Sequence, residues 1–242
     1  MRKIAILALA SILFASCELD SPQMPPRENV PDYAAYCMYY SLDCPLELFH
    51  QSMRIQEFIQ ADPEERKNSK YYDIAYYEAS ESYTVDDLGI FVPGGKALTD
   101  DGAEWIVANT YKSREYHIRK VSSDSWEITP KYPESTDFNI GYHPDFFLTV
   151  KCESQELSED AAFSVFLNGH CYEDSEYYVI FGDAKGLTAK WVAVSDKGTV
   201  SRVLSLIGSI ELTFRKGQDV LDTVIATYSG RGNASFVTKA KN

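Results

Sequence analysis

The sequence predicts an α+β protein that is mostly β, with an N-terminal helical hairpin packed on an antiparallel β-sandwich or barrel-like body. Apolar residues recur with the helical period of about 3.6 through residues 33–80, and from residue 81 the period changes to 2. The strand-like segments then follow one another at intervals of about 8 to 12 residues, with polar turns and no helix between them. This spacing is typical of an antiparallel sheet.

Residues 1–16 have the three parts of a secretory signal peptide. The basic pair Arg2-Lys3 precedes an apolar run over residues 4–14, and the small pair Ala15-Ser16 suits a cleavage site. The apolar run is too short for a transmembrane helix. We therefore expect the signal to be removed and the mature chain to begin at Cys17.

The boundary Phe14-Ala15-Ser16-Cys17 resembles the lipobox of bacterial lipoproteins. The resemblance implies that a diacylglycerol is attached to the sulfur of Cys17 and that the new amine is acylated, for example with palmitate. Two or more buried acyl chains anchor a protein stably, whereas one does not. The implied place is the cell envelope, on the periplasmic face or the outer surface of the outer membrane. The alternative is an ordinary secretory signal followed by a chance cysteine.

Residues 17–32 predict a Pro-rich tether between the anchor and the folded body. Four prolines and few apolar residues favour an extended, polyproline-like linker over a packed segment. Glu18 and Asp20 weakly resemble the acidic export signals of Bacteroidetes surface lipoproteins. The overall plan of lipobox, tether, helices and β body also resembles uncharacterised lipoproteins of those bacteria.

The helical region of residues 33–80 contains three candidate helix segments. Residues 33–42 form one short helix, and Pro45 occupies the first position of a second helix with a broad apolar stripe. Residues 62–65, Asp-Pro-Glu-Glu, are a strong start for a third because a cap residue and two carboxylates face the positive end of the helix dipole. We expect the helices to pack on the sheet.

The β body is predicted over residues 81–230. Its expected strands are residues 88–92, 105–108, 116–121, 126–129, 146–152, 163–167, 177–181, 187–194, 199–207, 210–214 and 220–228. A Pro-containing break at 130–137 either divides two β units or forms a long loop. Residues 231–242 are predicted to be a flexible tail, in which Phe236-Val237 could add an edge strand.

Lipidation of Cys17 would leave an even number of cysteines, which permits disulfides in an exported chain: Cys37, Cys44, Cys152 and Cys171. On one continuous helix Cys37 and Cys44 would lie about 10 Å apart, too far to bridge. A chain break at Pro45 would allow them to meet. A simple hairpin about residues 157–158 would place Cys152 opposite Phe163 and Cys171 opposite Pro144. Disulfides and buried free thiols both remain open.

Charge and missing motifs exclude several functions. The chain has a net charge of −13, and removal of a signal with two basic residues makes it more acidic. Nucleic acid is therefore not an expected partner. Signatures of nucleophilic hydrolases, phosphate-binding loops and zinc proteases are absent. The cluster His170-Cys171-Tyr172-Glu173-Asp174 contains metal-ligand types, but neighbours on a strand point to opposite faces and Asn168-Gly169 suggests a turn or bulge. We expect no catalytic residue, no metal and no cofactor.

Aromatic residues are abundant, with 17 Tyr, 12 Phe and 3 Trp. Exposed aromatic rings on a β module form flat platforms for sugar rings, so Trp105, Trp126 and Trp191 are candidate ligand-binding residues; the alternative is that they belong to the core. We expect a non-catalytic lipoprotein that binds a ligand, such as a glycan, or an envelope protein partner in an assembly. A carbohydrate hydrolase using paired carboxylates is the alternative.

Overall fold

The computed structural model describes residues 24–65, 90–91, 104–109, 114–131, 143–154, 157, 160–172, 176–182, 184–196 and 199–240. It confirms an α+β protein that is mostly β. The helical elements are α1 (Val30–Met38), a π-helical turn (Tyr39–Asp43) and α2 (Cys44–Gln60). The strands are β1 (Ile90–Phe91), β2 (Glu104–Asn109), β3 (Arg114–Ser122), β4 (Ser125–Lys131), β5 (His143–Cys152), β6 (Ala162–Tyr172), β7 (Tyr177–Phe181), β8 (Lys185–Asp196), β9 (Thr199–Lys216), β10 (Asp219–Ser229) and β11 (Ala234–Thr238).

All eleven strands belong to one antiparallel sheet. Each strand pairs with its neighbour in sequence, except that β7 and β8 both lie between β6 and β9. β7 pairs with one half of β6 and β9, and β8 pairs with the other half, so together they act as one interrupted strand. β4 and β5, the strands before and after the Pro-containing break, pair directly with each other. The break therefore connects two neighbouring strands of one sheet.

The hairpin register predicted from the cysteines is confirmed. β5 and β6 pair with Pro144 opposite Cys171 and Cys152 opposite Phe163. Cys37, Cys44, Cys152 and Cys171 are buried and form no disulfide within the described structure. Of the two alternatives left open by the sequence, the structure therefore has the buried thiols.

The chain does not break at Pro45. Residues 30–60 form one continuous helical segment, because the chain passes through the π-helical turn with α-helical backbone angles at both of its ends. The N–H of Cys44 bonds to the carbonyl of Tyr39, five residues earlier, which is the wider π spacing. The wider turn accommodates Pro45, which lacks an N–H and whose ring would crowd a preceding turn of normal α-helix.

In the π-helical spacing the donor to the carbonyl of Tyr40 would be residue 45, and Pro45 has no N–H. The Tyr116 hydroxyl of β3 donates to this carbonyl at 2.7 Å, and the bond is buried. A side chain from the sheet therefore supplies the hydrogen bond that the proline removes, and it joins the helix to β3.

The helical segment is buried on most of its circumference. Phe49 packs against Trp126 of β4 and Phe163 of β6, with ring centroids 5.6 and 5.7 Å apart. Tyr33, near the start of the segment, packs against Phe214 of β9. A helix is about 10 Å wide, whereas β3 and β9 would be about 24 Å apart in a flat sheet. The sheet must therefore curve around the helix.

Two glycines allow close strand contacts instead of making turns. The sequence suggested a turn or bulge at Asn168-Gly169, but β6 runs through it in unbroken register with β5. A Cβ on Gly169, at φ +120°, would clash with the Asp145 carbonyl oxygen. Similarly, the strands expected at 199–207 and 210–214 are one strand, β9, because Gly208 passes close to Gly186 of β8.

The first helix begins at Val30, inside the predicted tether. At the other end of the chain, the edge strand that the sequence allowed at Phe236-Val237 forms as β11 and pairs with β10. The second arm of the helical hairpin falls on residues 66–80, which lie outside the described residues. Within the ranges given above, no helix is long and apolar enough to cross a membrane.

Replacing Tyr116 by phenylalanine tests the hydrogen bond that compensates for Pro45. Tyr116→Phe should lower the free energy of unfolding by about 0.5–1.5 kcal/mol, because it removes a buried hydrogen bond to the Tyr40 carbonyl. Urea denaturation measures the loss. Tyr178→Phe is the matched control, since Tyr178 makes the same kind of bond to the Gly217 carbonyl at an exposed site. Equal losses in the two variants would contradict the role assigned to Tyr116.

Candidate functional site

A groove of about 400 Å³ lies on the outer face of the sheet across β4, β5 and β6. It is lined by Glu127, Thr129, Pro130, Asp145, Phe146, Phe147, Gly169 and His170. The groove combines an exposed aromatic ring with two carboxylates, a hydroxyl and an imidazole. It is therefore a candidate binding site for a polar ligand that also has apolar surface.

The alternation of β5 produces this groove. Phe146 and Leu148 point inward and are buried, whereas Asp145 and Phe147 point outward and are exposed. Phe147 lies opposite Asn168 of β6 and keeps 42% of its surface exposed. A phenylalanine at a solvent-facing strand position loses the apolar burial that normally stabilises it, which marks it as a candidate contact residue.

A second exposed phenylalanine lies on the same face. Phe166 of β6 is opposite Thr149 of β5 and is 56% exposed. Because Thr149 is two residues from Phe147, the two rings occupy diagonal positions on neighbouring strands, where long side chains approach each other. The outer face thus carries a pair of exposed aromatic rings beside the groove.

The polar groups of the groove are oriented by their neighbours. Arg119 of β3 forms an ion pair with Glu127 at 2.8 Å. Asp145 and His170 lie opposite each other, with a carboxylate oxygen 3.8 Å from the imidazole Nε2. His170 also meets the edge of the Tyr178 ring at 6.4 Å. The groove therefore offers hydrogen-bond acceptors and an imidazole beside apolar surface.

A second unusual feature is a stripe of ionisable residues inside the fold. Tyr39, Asp43, Glu47, His50 and Arg54 are spaced by three or four residues, so they share one face of the helical segment. The stripe lies against the inner face of the sheet, where Trp191 of β8, Arg202 of β9 and Tyr228 of β10 influence its members.

Burial favours the neutral forms of the acidic residues in this stripe. It raises the pKa of Asp43 to about 7 and the pKa of Glu47 to about 8. For Glu47 the Trp191 indole and the Leu204 backbone offset part of the rise, while Asp43 adds to it. Burial, together with Asp43, also raises the pKa of Tyr228. Among the described residues, Asp43 Oδ1 and the Tyr228 hydroxyl have no hydrogen-bond partner.

His50 is held neutral in the same stripe. Burial and, to a smaller extent, the cations of Arg54 and Arg202 lower the pKa of His50 to about 2. Its ring stacks on Trp191 with centroids 4.4 Å apart and planes at 7°. This arrangement suits a neutral imidazole packed as an aromatic ring, and it joins α2 to the sheet.

The tryptophans predicted to bind a ligand are placed differently from one another. Trp126 is 2% exposed and Trp191 is fully buried, so neither offers a flat surface to a sugar in this structure. Both lie on the inner face of the sheet, where Trp126 packs on Phe49 and Trp191 stacks on His50. Of the two alternatives stated for the tryptophans, an exposed platform or the core, these two therefore belong to the core. Trp105 lies in β2, and its side chain is outside the described part.

The structure also separates the His170–Asp174 cluster. His170 lines the outer groove, whereas the next residue, Cys171, is buried on the inner face. Residues 173–174 lie outside the described residues. In the part of the chain that the structure covers, no group of three His, Cys, Asp or Glu side chains could hold a metal ion.

None of the groove residues is among the tryptophans that the sequence predicts to bind a ligand. Phe147 and Phe166 stand at polar positions of alternating strands, and that departure from the pattern was a signal that could have identified them. Comparison adds nothing to these observations, since no protein-family model, curated protein or solved structure matches this chain.

The buried carboxyl groups predict a specific pH dependence of stability. Glu47 has a raised pKa in the folded chain, so its contribution to stability is complete below about pH 4.5 and is lost as the pH rises towards 8. Glu47→Gln stays neutral throughout and avoids this loss. Its free energy of unfolding minus that of the wild type should therefore increase between about pH 5 and 8, by on the order of a few kcal/mol.

Urea denaturation of both proteins at a series of pH values measures this difference. Subtracting the wild-type free energy of unfolding from that of the variant removes the effect of the other titrating groups, which the two proteins share. A difference that stays constant with pH would show that Glu47 ionises alike in the folded and unfolded chains.

Proposed function

We propose that this chain is an exported lipoprotein, anchored to the cell envelope through Cys17, whose β body binds a glycan at the outer groove. The observation that carries the binding proposal is the exposed ring of Phe147 beside Glu127, Asp145 and His170. The anchor is supported by the lipobox-like boundary and the signal-like segment before it.

The chemistry of the groove fits a sugar ring. One face of a pyranose carries C–H groups that pack on an aromatic ring, and its hydroxyls donate to carboxylates and accept from an imidazole N–H. Phe166 extends the aromatic surface along β6. Because the site is an open groove on the sheet surface, it suits a segment of a longer chain better than a small molecule, which needs a deeper pocket.

The charge of the chain also fits a glycan ligand. With a net charge of −13 the protein repels nucleic acids and anionic lipid surfaces. Neutral polysaccharides carry no such penalty. Attachment to the membrane would then depend on the acyl chains and not on surface charge.

Replacing Phe147 by alanine tests the binding site. Phe147→Ala should weaken binding of a soluble polysaccharide about tenfold, because it removes the aromatic surface on which the sugar packs. Affinity electrophoresis in gels that contain starch, xylan or a mixed-linkage β-glucan measures retardation of the wild type and the variant.

Val121→Ala is the matched control. It also shortens an exposed apolar side chain, but Val121 lies outside the groove, so it should leave retardation unchanged. Wild-type protein that is not retarded by any of these polysaccharides, or that is retarded equally after Phe147→Ala, would contradict glycan binding at this groove.

The anchor has its own test. Wild-type protein expressed in a bacterial host should incorporate radiolabelled palmitate, and Cys17→Ala should incorporate none, because the substitution removes the sulfur that accepts the diacylglycerol. Mass spectrometry of the mature N-terminus identifies the residue that carries the lipid. A mature chain that begins elsewhere, or that carries no acyl group, would contradict the anchor.

Assembly with an envelope protein is a second candidate function, and the edge of the sheet favours it. In the described structure, β11 pairs only with β10, and Val237 on this strand is exposed. An unpaired edge can accept a strand from another chain. A stoichiometric partner that co-purifies from the native envelope and is lost after Val237→Lys would favour assembly over glycan binding.

A further inference from the structure

The start of the folded body is fixed to one end of the sheet. The Arg27 guanidinium lies 3.9 Å from the centre of the Tyr177 ring of β7, and the Lys216 ammonium of β9 lies 5.0 Å from the same ring. The neighbouring Asn29 N–H bonds to the Pro26 carbonyl, which closes a turn just before α1. The tether therefore leaves the body beside the turn between β9 and β10.

The covalent chain limits how far this end can lie from the anchor. Arg27 lies ten positions after Cys17, and a fully extended chain of this length spans at most about 35 Å. A domain of about 200 residues is roughly 40 Å across. The end of the body that carries Arg27 can therefore reach the bilayer easily, whereas the opposite end lies beyond the reach of the chain.

The same end carries exposed apolar side chains. Val220 and Leu221, just after the β9–β10 turn, are 55% and 37% exposed. The register between β9 and β10 shifts between Val220 and Asp222, and this bulge allows two consecutive side chains to remain exposed. Tyr177 and Tyr178, the ring types that favour membrane interfaces, lie on β7, which pairs with the other side of β9.

We propose that the β9–β10 turn is a membrane-contacting surface, with Val220 and Leu221 inserted into the interface of the bilayer that holds the lipid anchor. This inference rests on lipidation of Cys17, the anchor in the proposed function. The partner is a zwitterionic lipid surface, because charges of both signs surround the turn: Arg27, Arg215 and Lys216 against Glu176, Asp219 and Asp222.

The contact would orient the body on the membrane. The helical segment begins at this end, where Tyr33 packs on Phe214. Neighbouring strands of the sheet run in opposite directions, so the turns between them lie either at this end or at the opposite end. The β3–β4 turn, with Val121 beside it, lies at the opposite end. An inserted β9–β10 turn would therefore hold Val121 away from the bilayer.

The experiment compares a fluorescent label at the two ends of the lipidated full-length protein. Val220→Cys and Val121→Cys are each labelled with bimane and reconstituted into phosphatidylcholine vesicles that contain a nitroxide-labelled lipid. The native cysteines of the folded body are buried and do not compete for the label. The label at Val220 should lose fluorescence through contact with the quencher, and the label at Val121 should not. Leu221→Asp, added to the Val220→Cys chain, should reverse the loss because it places a charge in the interface.

Each outcome decides a separate point. Quenching at Val220 alone, reversed by Leu221→Asp, supports the membrane contact. Equal quenching at both sites of a chain that carries its acyl groups overturns the contact and leaves the anchor intact. A chain that carries no acyl group by mass spectrometry overturns both the anchor and the contact that rests on it.

Discussion

Burial of the helical segment of residues 30–60 is the constraint on which the rest of the structure depends. The segment touches strands from β3 to β9, so the sheet must curve and present its inner face to one helix. Apolar burial contributes about 25 cal/mol per Å², and aromatic pairs at this contact bury large areas. The eleven paired strands make a sheet that is wide enough to enclose the helix.

Enclosing a whole helix also places polar groups in the interior. Asp43 and Glu47 lie on a face that would be solvated in an ordinary amphipathic helix, and here burial favours their neutral forms. His50 is likewise neutral and stacks on Trp191 as an aromatic ring. The stability of the fold is therefore linked to protonation, which follows from architecture and does not require a catalytic role.

Because the inner face is filled by the helix, binding is left to the outer face and the ends of the sheet. The groove lies across β4–β6 and the apolar turn joins β9 to β10, and both lie towards the same end of the sheet, since His170 of the groove contacts Tyr178 of β7. In the proposed arrangement the turn rests on the membrane near the tether. The domain would then hold its ligand close to the bilayer.

The sequence by itself determined the class of fold, most strand positions and the β5–β6 register, because alternation of apolar residues is a local property that fixes which face is buried. Local patterns could not show that Pro45 lies within a continuous segment, since the missing hydrogen bond is supplied by Tyr116, 76 residues from Tyr40. They also left Trp126 and Trp191 open between the core and an exposed platform, and the structure places both in the core. Those outcomes depend on how the sheet curves around the helix, and only the tertiary structure decides it.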